Sequence, residues 1–227
     1  MIFDLETEKQ LAANEAVKLF EDHQIVGLGT GSTAKYAITA IGELVKNGLT
    51  IKVVATSVQT AELAISLNIP LIDIESVDSI DITIDGTDEF TTDLALIKGG
   101  GGALLREKIV ASLSKTTVII ADSSKKVAVL GKFKLPIAVL PMACNYVLLQ
   151  IKNLYGSGVV RMVAGKPFIT DDGNYIVDAD FGLIDNPAAL SVELNNIVGI
   201  VAHGLFINLA SKIIMGKGGT TITFMPK

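Results

Sequence analysis

The sequence predicts an α/β protein with a Rossmann-like parallel β-sheet domain and a second, smaller α+β domain of the ferredoxin-like type. Up to about residue 130, short apolar runs alternate with amphipathic helical patterns, which is typical of a parallel sheet with helices on both faces. The order then changes to strand, helix, strand, strand, helix, strand, which indicates a separate α+β unit. We therefore expect residues 1–130 and 207–227 to form the larger domain and residues 131–206 the smaller one.

Hydrophobic periodicity places the elements of the larger domain in chain order. An apolar stripe at helical spacing covers residues 8–22, and the run 25–29 ends in glycine before a second helical pattern at 32–45. The other predicted elements are strands at 51–55, 80–84 and 117–121, helices at 58–67 and 104–113, and strands at 212–215 and 220–224 that return to the first sheet.

The smaller domain is predicted from shorter patterns. The segment 167–178 is a strong hairpin signal, because Asp172 and Gly173 can take the positive φ angles of a tight turn. The other predicted elements are strands at 137–140, 159–163 and 199–206 and helices at 143–152 and 186–197.

Composition and charge exclude several functional classes. The chain has 227 residues, of which 49% are hydrophobic, and a net charge of −5 without a basic block, which argues against nucleic acid and anionic membranes as partners. An anionic small molecule stays possible. The single cysteine, Cys144, excludes an internal disulfide and a multi-cysteine zinc site. The acidic start of the chain is unlike a signal peptide, and polar residues and prolines interrupt both long uncharged stretches, so we expect a cytoplasmic protein.

The glycine-rich loop at 27–34 follows a predicted strand and opens a helix, as an anion-binding loop does. Its spacing also fits a dinucleotide fingerprint, but the next strand ends in Thr56 and Ser57 instead of an acid, which disfavours a nicotinamide cofactor. Hydroxyl groups at both strand ends favour a phosphate or a polyol, and we favour a sugar phosphate. The alternative is a tight turn with a capping serine.

An acidic turn, Asp85 to Phe90, lies at the carboxyl end of another predicted strand, where open α/β sheets bind ligands. Its three carboxylates repel one another, so at least one is expected to have a raised pKa and to act as an acid or base. An ordinary solvated turn is the alternative. A metal site has no local support, because His23 and His203 lie far away in sequence.

Four consecutive glycines follow Lys98 and lead into the helix that carries Glu107. Ordering such a run costs considerable backbone entropy, which favours a functional role over a structural one. Lys98 can stabilise a developing oxyanion, and Glu107 can move a proton with little tuning of its pKa. The alternative is a flexible loop followed by an ordinary helix acid.

These motifs together resemble the type A ribose-5-phosphate isomerases along essentially the whole chain. Several long motifs in the same order and spacing make the resemblance specific. The matching segments are GLGTGSTA (27–34), TSVQT (56–60), DGTDEF (85–90), KGGGGALLREK (98–108), ADSSKK (121–126), GKFKLPIAVLPMA (131–143), GKPFITDDGNYIVD (165–178) and HGLF (203–206).

The resemblance implies an aldose–ketose isomerase of the non-oxidative pentose phosphate pathway that interconverts D-ribose 5-phosphate and D-ribulose 5-phosphate through a cis-enediolate. It implies no metal, no organic cofactor, and a homodimer. Glu107 would be the base that takes the C2 proton and returns it at C1, and Lys98 would hold the charge of the enediolate. Asp85 and Asp88 would bind sugar hydroxyls and assist ring opening, with Asp85 as proton shuttle.

The resemblance also implies the residues that bind the substrate. The phosphate would be held by Ser32, Thr33, Lys9 and Lys125, of which Lys9 is placed by spacing alone. The remaining implied binding residues are Gly29, Thr30, Gly31, Gly86, Gly99, Gly100 and Gly101.

The chain departs from the family pattern at Gly102, where Ala or Ser is common, and at residues 216–224, where an acid-containing turn is expected. Two other functions are compatible with some of these residues. A sugar-phosphate sensor would need a basic DNA-binding module, which the 227 residues lack, and gives no reason for both Lys98 and Glu107. An enzyme resembling coenzyme A transferases would use Glu107 as a nucleophile on a thioester.

Overall fold

A computed structural model describes residues 4–226 of the chain, so residues 1–3 and 227 of the predicted larger domain lie outside it. Its α-helices are Leu5–Ala16 (α1), Ser32–Lys46 (α2), Val58–Ser66 (α3), Leu104–Leu113 (α4), Cys144–Asn153 (α5) and Pro187–Asn195 (α6). Its strands are Ile25–Leu28 (β1), Lys52–Ala55 (β2), Ile80–Asp85 (β3), Glu89–Phe90 (β4), Leu96–Ile97 (β5), Ser114–Asp122 (β6), Leu135–Val139 (β7), Ser157–Val160 (β8), Met162–Val163 (β9), Lys166–Pro167 (β10), Tyr175–Asp180 (β11), Ile200–His203 (β12), Leu205–Phe206 (β13), Lys212–Lys217 (β14) and Thr220–Phe224 (β15).

A six-stranded sheet with the order β15-β14-β6-β3-β1-β2 forms the larger part of the molecule. All its neighbouring pairs are parallel except the edge pair of β14 and β15. The chain leaves β1 for β2 on one side and then crosses to β3 on the other. This reversal opens a crevice at the carboxyl ends of β1 and β3, which is where open α/β sheets bind ligands.

Both faces of this sheet are buried, because apolar side chains alternate between two helix-covered layers. Val118 and Ile120 of β6 pack with α1 and α2 on one face. Ile119 and Ala121 of the same strand pack on the opposite face, together with Ala111 of α4. The apolar runs seen in the sequence are therefore central parallel strands.

A four-stranded antiparallel sheet with the order β12-β7-β11-β8 forms a second unit. In chain order its elements are β7, α5, β8, β11, α6 and β12, which is the βαββαβ arrangement that the sequence predicts. Its core lies between this sheet and α5 and includes Ile137, Val147 and Val177. The predicted fold class is confirmed, whereas the exact domain boundaries stay a prediction.

Some elements differ from the sequence expectation. The first helix ends at Ala16 and continues only as a 3₁₀ turn to Leu19, instead of reaching residue 22. The predicted hairpin keeps its turn, with Gly173 at φ 78°, but only Ile169 pairs with Tyr175 across it. The strand before the turn pairs instead with β9. The hairpin tip contacts the larger unit, since Oδ2 of Asp171 accepts the Val58 N–H over 2.8 Å.

Candidate active site

The loop after β1 can pass close to Asp85 because the residue of closest approach, Gly29, has no side chain. The Gly29 N–H donates to the Ile84 carbonyl over 2.9 Å. A Cβ at Gly29 would lie 2.0 Å from Oδ1 of Asp85, so a larger residue would displace this carboxylate. Helix α2 begins at Ser32, and its amino-terminal N–H groups therefore open into the crevice beside the Ser32 and Thr33 hydroxyls.

A cluster of buried hydroxyls lies behind this loop. Oγ1 of Thr30 lies 2.8 Å from the hydroxyl oxygens of both Thr56 and Ser57 and 3.1 Å from that of Thr60. Thr56, Ser57 and Thr60 are buried. The sequence suggested that these hydroxyls bind ligand, but the structure uses them to hold Thr30.

Three charged side chains meet at the base of the crevice. Nζ of Lys98 lies 3.0 Å from Oδ2 of Asp85 and 3.4 Å from Oε2 of Glu107, and it donates to the Gly86 carbonyl over 2.6 Å. All three side chains are at most 5% exposed. Within residues 4–226, Oε2 of Glu107 has no hydrogen-bond donor, so Lys98 is an ion-pair partner only.

Burial sets the protonation of this group. It raises the pKa of Glu107 to about 8, although the charge of Lys98 opposes the shift. The pKa of Asp85 is also raised by burial, against the charge of Lys98. Burial alone would lower the pKa of Lys98, but Asp85 and Glu107 outweigh it and raise that pKa. Two carboxyl groups thus share one ammonium ion. Burial favours the protonated form of these acids at pH values where a solvated carboxyl group is ionised.

The glycine run after Lys98 forms a tight turn against Asp88. The Gly102 N–H donates to the Gly99 carbonyl over 2.9 Å, and the Gly100 N–H donates to Oδ2 of Asp88 over 2.7 Å. Gly99 and Gly102 have φ values of 103° and 84°, which favour glycine. The turn leads directly into α4, whose first turn carries Glu107.

Lys125 reaches the crevice from the segment after β6. Buried Glu8 of α1 holds this segment, since Oε2 accepts the Ser123 N–H over 2.8 Å. Oε1 of the same carboxylate accepts the Gly218 N–H over 3.0 Å. Glu8 therefore ties the first helix and the last hairpin to the segment that carries Lys125.

Comparison with known proteins identifies the family of this chain. The sequence pattern of the family described as ribose 5-phosphate isomerase A (phosphoriboisomerase A) matches residues 52–219. The chain is 46% identical over 211 residues to ribose-5-phosphate isomerase A of Sphingopyxis alaskensis, covering 93% of this chain and 92% of that protein. It is 49% identical to the Bacillus mycoides protein of the same name, covering 92% and 95%. The chain belongs to the ribose 5-phosphate isomerase A family.

Solved structures of the family have the same fold. Ribose 5-phosphate isomerase A of Methanocaldococcus jannaschii matches with a TM-score of 0.92 at 39% identity, covering 96% of this chain and 97% of that one. A D-ribose-5-phosphate isomerase in complex with phospho-erythronic acid matches with a TM-score of 0.95 at 38% identity, covering 98% and 100%. Family membership makes the chain an isomerase and decides against the sensor and the transferase.

Most residues that the family resemblance implied for the site come together around the crevice. Thr87 also lines it and was not predicted. The predicted residues that line it are Thr30, Gly31, Ser32, Thr33, Gly86, Asp88, Lys98, Gly99, Gly100, Gly101, Glu107 and Lys125.

Three predicted residues do not line the crevice. Gly29 lies under the loop, and Asp85 lies behind Lys98, where Oδ1 accepts the N–H groups of Thr30 and Gly86. Nζ of Lys9 pairs with Oε1 of Glu6 at 2.6 Å, on α1. A phosphate role for Lys9 would require it to leave Glu6, and that role stays a prediction.

Sequence reasoning missed several residues that support the site. Glu89 was grouped with the acidic turn, but its carboxylate accepts the N–H groups of Gly131 and Phe133 and is structural. Glu8 had a weak signal, since it shares a helix face with Ala12 and Ala16. Arg161, which contacts the glycine run, had none, because 61 positions separate it from Gly100.

Within residues 4–226 there is no group of three or more His, Cys, Asp and Glu side chains arranged to hold a metal ion. No helix in the same range is long and apolar enough to cross a membrane.

Proposed function

We propose that this isomerase interconverts D-ribose 5-phosphate and D-ribulose 5-phosphate with Glu107 as the proton-transferring base. The observation that carries the proposal is the buried ion pair of Lys98 and Glu107, 3.4 Å apart, in a crevice that also holds a helix amino terminus and Lys125. An aldose–ketose exchange needs a base, a cation for the developing oxyanion and an anchor for the phosphate. The crevice supplies one group for each need.

The phosphate would bind at the amino terminus of α2. The helix begins at Ser32, and Ser32, Thr33 and Lys125 line the same crevice, so they would supply N–H groups, hydroxyls and an ammonium group to the phosphate. Anchoring this end of an open-chain sugar fixes which of its carbons reaches Glu107. Correct positioning of this kind supplies a large share of the rate.

Glu107 would move one proton between adjacent carbons. Its carboxylate takes the proton from C2 of the aldose, and the electron pair forms the C1–C2 double bond as O1 becomes an oxyanion. A proton passes from O2 to O1, and the Glu107 carboxyl then returns its proton to C1 while the carbonyl forms at C2. A pKa raised to about 8 makes this carboxylate a stronger base than a solvated glutamate.

Lys98 would stabilise the enediolate oxyanion. It is buried and held by Asp85 and the Gly86 carbonyl, so its charge is in place before the reaction begins. A fixed cation in a site of low dielectric acts most strongly on charge that develops in the transition state. Gly101, which lines the same crevice, would add a backbone N–H group.

Asp88 lines the crevice and is our candidate for binding sugar hydroxyls and assisting ring opening. Asp85 lies behind Lys98, and we assign it the positioning of that ammonium ion. The proton-shuttle role that the family resemblance implied for Asp85 stays a prediction, because Lys98 lies between the Asp85 carboxylate and the crevice.

The relative with bound phospho-erythronic acid supports this chemistry. That compound is a four-carbon sugar acid phosphate, and its carboxylate carries two oxygens on one carbon with a shared negative charge. Like the C1–C2 end of an enediolate, this end is both planar and negatively charged, which the corresponding end of either sugar is not. A homodimer, a cytoplasmic location and the absence of nucleic acid partners stay proposals that rest on the family resemblance and the charge of the chain.

The experiment is conversion of ribose 5-phosphate by the purified protein in EDTA, compared with Glu107→Gln. Exposed Glu193→Gln on α6 is the matched control. We expect the wild type and Glu193→Gln to form ribulose 5-phosphate at equal rates, and Glu107→Gln to lose about 10²- to 10⁴-fold in kcat. Absence of conversion by the folded wild type, or full activity of Glu107→Gln, would overturn the proposal.

A further inference from the structure

Arg161 of the second unit contacts the glycine run of the active site. It lies between β8 and β9, and its Nη1 donates to the Gly99 carbonyl over 3.1 Å and to the Gly100 carbonyl over 2.9 Å. Neither the motifs of the sequence nor the chemistry described above uses this residue.

The guanidinium group is itself held in place. Its Nε donates to Oδ2 of Asp178 over 2.9 Å, and its Nη2 donates to Oδ1 of the same carboxylate. Such a two-point pair fixes the plane of the guanidinium group. The ring of Phe168 lies 5.8 Å from Cζ of Arg161 and also covers Gly102. Arg161 therefore presents Nη1 to the glycine run from a rigid support.

The contact of Arg161 with the two carbonyl groups also fixes the direction of the N–H groups in the same peptide units. A trans peptide unit is planar, and its N–H points opposite to its carbonyl. Among the described residues there are no cis peptide bonds. Because the Gly99 carbonyl accepts a hydrogen bond from Arg161, the Gly100 N–H must point away from Arg161. This N–H donates to Asp88 over 2.7 Å. With the Gly100 carbonyl on Arg161, the Gly101 N–H is likewise turned away from Arg161, at a residue that lines the crevice.

We propose that Arg161 is a positioning residue for the isomerisation, which orients the Gly100 N–H toward Asp88 and the Gly101 N–H toward the enediolate. Consecutive glycines have the largest backbone entropy of any residues, so an unrestrained run would populate many conformations. Arg161 selects one of them and acts on the reacting atoms only through the backbone. The inference rests on the proposed function and names a residue outside the crevice on which that function depends.

The test compares Arg161→Gln with Lys134→Gln. The control removes an exposed cation that also faces β11, with Nζ 3.9 Å from Oδ2 of Asp180. We expect kcat of Arg161→Gln to fall about 10- to 100-fold, as for an active-site group displaced by about 1 Å. The inhibition constant of phospho-erythronic acid should rise by a similar factor, since that compound resembles the intermediate. KM and inhibition by inorganic phosphate should change less than about threefold, because the phosphate site is separate.

Two results would overturn the proposal. One is a folded Arg161→Gln protein that keeps kcat within about twofold of the wild type. The other is an equal weakening of inorganic phosphate and phospho-erythronic acid, which would indicate general loosening of the crevice. If Arg161→Gln does not fold, Asp178→Asn replaces it, since it frees the guanidinium group while keeping the charge of Arg161, and the same kcat criterion applies to it.

Hydrogen–deuterium exchange separates this inference from the proposed function. The segment 98–102 should exchange faster in Arg161→Gln than in the wild type or Lys134→Gln, whatever reaction the protein catalyses. Unchanged exchange would overturn the orienting role even in an active isomerase. Faster exchange in a protein whose wild type does not convert ribose 5-phosphate would keep the orienting role and reject the proposed function.

Discussion

Lys98 and Glu107 face each other across 3.4 Å, from Nζ to Oε2, and both side chains are almost completely buried. The contact is an ion pair without a hydrogen bond, and Oε2 of Glu107 has no donor among the described residues. Oε2 therefore faces the ammonium group without accepting a hydrogen bond and keeps its lone pairs for a substrate proton. This explains how one pair supplies both a strong base and a cation for the oxyanion.

The rate should depend on the ionisation of Glu107. Since burial raises its pKa to about 8, the fraction of Glu107 in the basic form increases through that pH. We expect kcat/KM, which reports the free enzyme, to rise with pH to a plateau above about 8. The rise should move to higher pH in Lys98→Gln, which removes the nearest cation. A wild-type profile that is flat between pH 6 and 9 would contradict this prediction.

Stability should show the opposite pH dependence. Because the pKa of Glu107 is raised in the folded state from 4.5 to about 8, the folded protein holds this proton more tightly than the unfolded chain. Its contribution to stability is complete below pH 4.5 and is lost as the pH rises toward about 8. Glu107→Gln should therefore unfold at a higher temperature than the wild type at pH 8, at about 2–4 °C per kcal/mol. The comparison is made by calorimetry at pH 5 and pH 8, with Glu193→Gln as the control. A difference that does not grow with pH would contradict it.

Glu8→Gln tests the support of the Lys125 segment. The Glu8 carboxylate accepts N–H groups from Ser123 and Gly218, and these bonds lower its pKa against the effect of burial. A Gln side chain has a single acceptor oxygen, so one of the two N–H groups would lose its acceptor and face an NH2 group. We therefore expect a loss of about 1–3 kcal/mol in stability at neutral pH and a several-fold higher KM. Because the pKa is lowered, this difference should shrink as the pH falls below 4.5.

The control for Glu8→Gln is Glu15→Gln on the same helix, where an exposed carboxylate pairs with Lys18. Such surface pairs contribute little, so stability and KM should stay at wild-type values. Equal effects of the two substitutions would show that Glu8 does no more than an ordinary helix acid.

Gly102→Ala should destabilise the glycine turn, and Gly101→Ala should not. Gly102 has φ 84°, and its added Cβ would lie 2.4 Å from Cε1 of Phe168. At Gly101 the nearest atom to an added Cβ is 3.8 Å away. We expect Gly102→Ala to lose about 1–2 kcal/mol, measured by urea unfolding, with Gly101→Ala near the wild type. Equal stabilities of the two variants would show that the ring of Phe168 does not restrict this position.

The sequence predicted the fold and the location of the site for a physical reason. Parallel strands end at one edge, so motifs that follow β1, β3 and β6 had to meet there, and Ser32, Asp88 and Lys125 do line one crevice. The same reasoning could not tell which side chains face the crevice and which face the core. Thr56 and Asp85 stand at strand ends, yet hydrogen bonds turn both inward.

Long-range contacts explain the remaining misses. Arg161 reaches the glycine run from the second sheet, and Glu8 reaches the segment after β6 from the first helix. Neither contact leaves a periodic pattern, because each is set by how distant elements pack. The raised pKa of Glu107 also leaves no sequence pattern, since its burial depends on the whole fold around α4.

The most direct test of the central claim is the fate of deuterium placed at C2 of ribose 5-phosphate. With Glu107 as a single base, kcat/KM should show a primary isotope effect, and deuterium should appear at C1 of ribulose 5-phosphate in part, with the rest lost to water. In Glu107→Gln both signals should vanish along with the activity. Complete transfer of deuterium to C1 with no loss to water would indicate a hydride shift, and unchanged turnover by Glu107→Gln would remove Glu107 from the reaction. Either result would contradict the account.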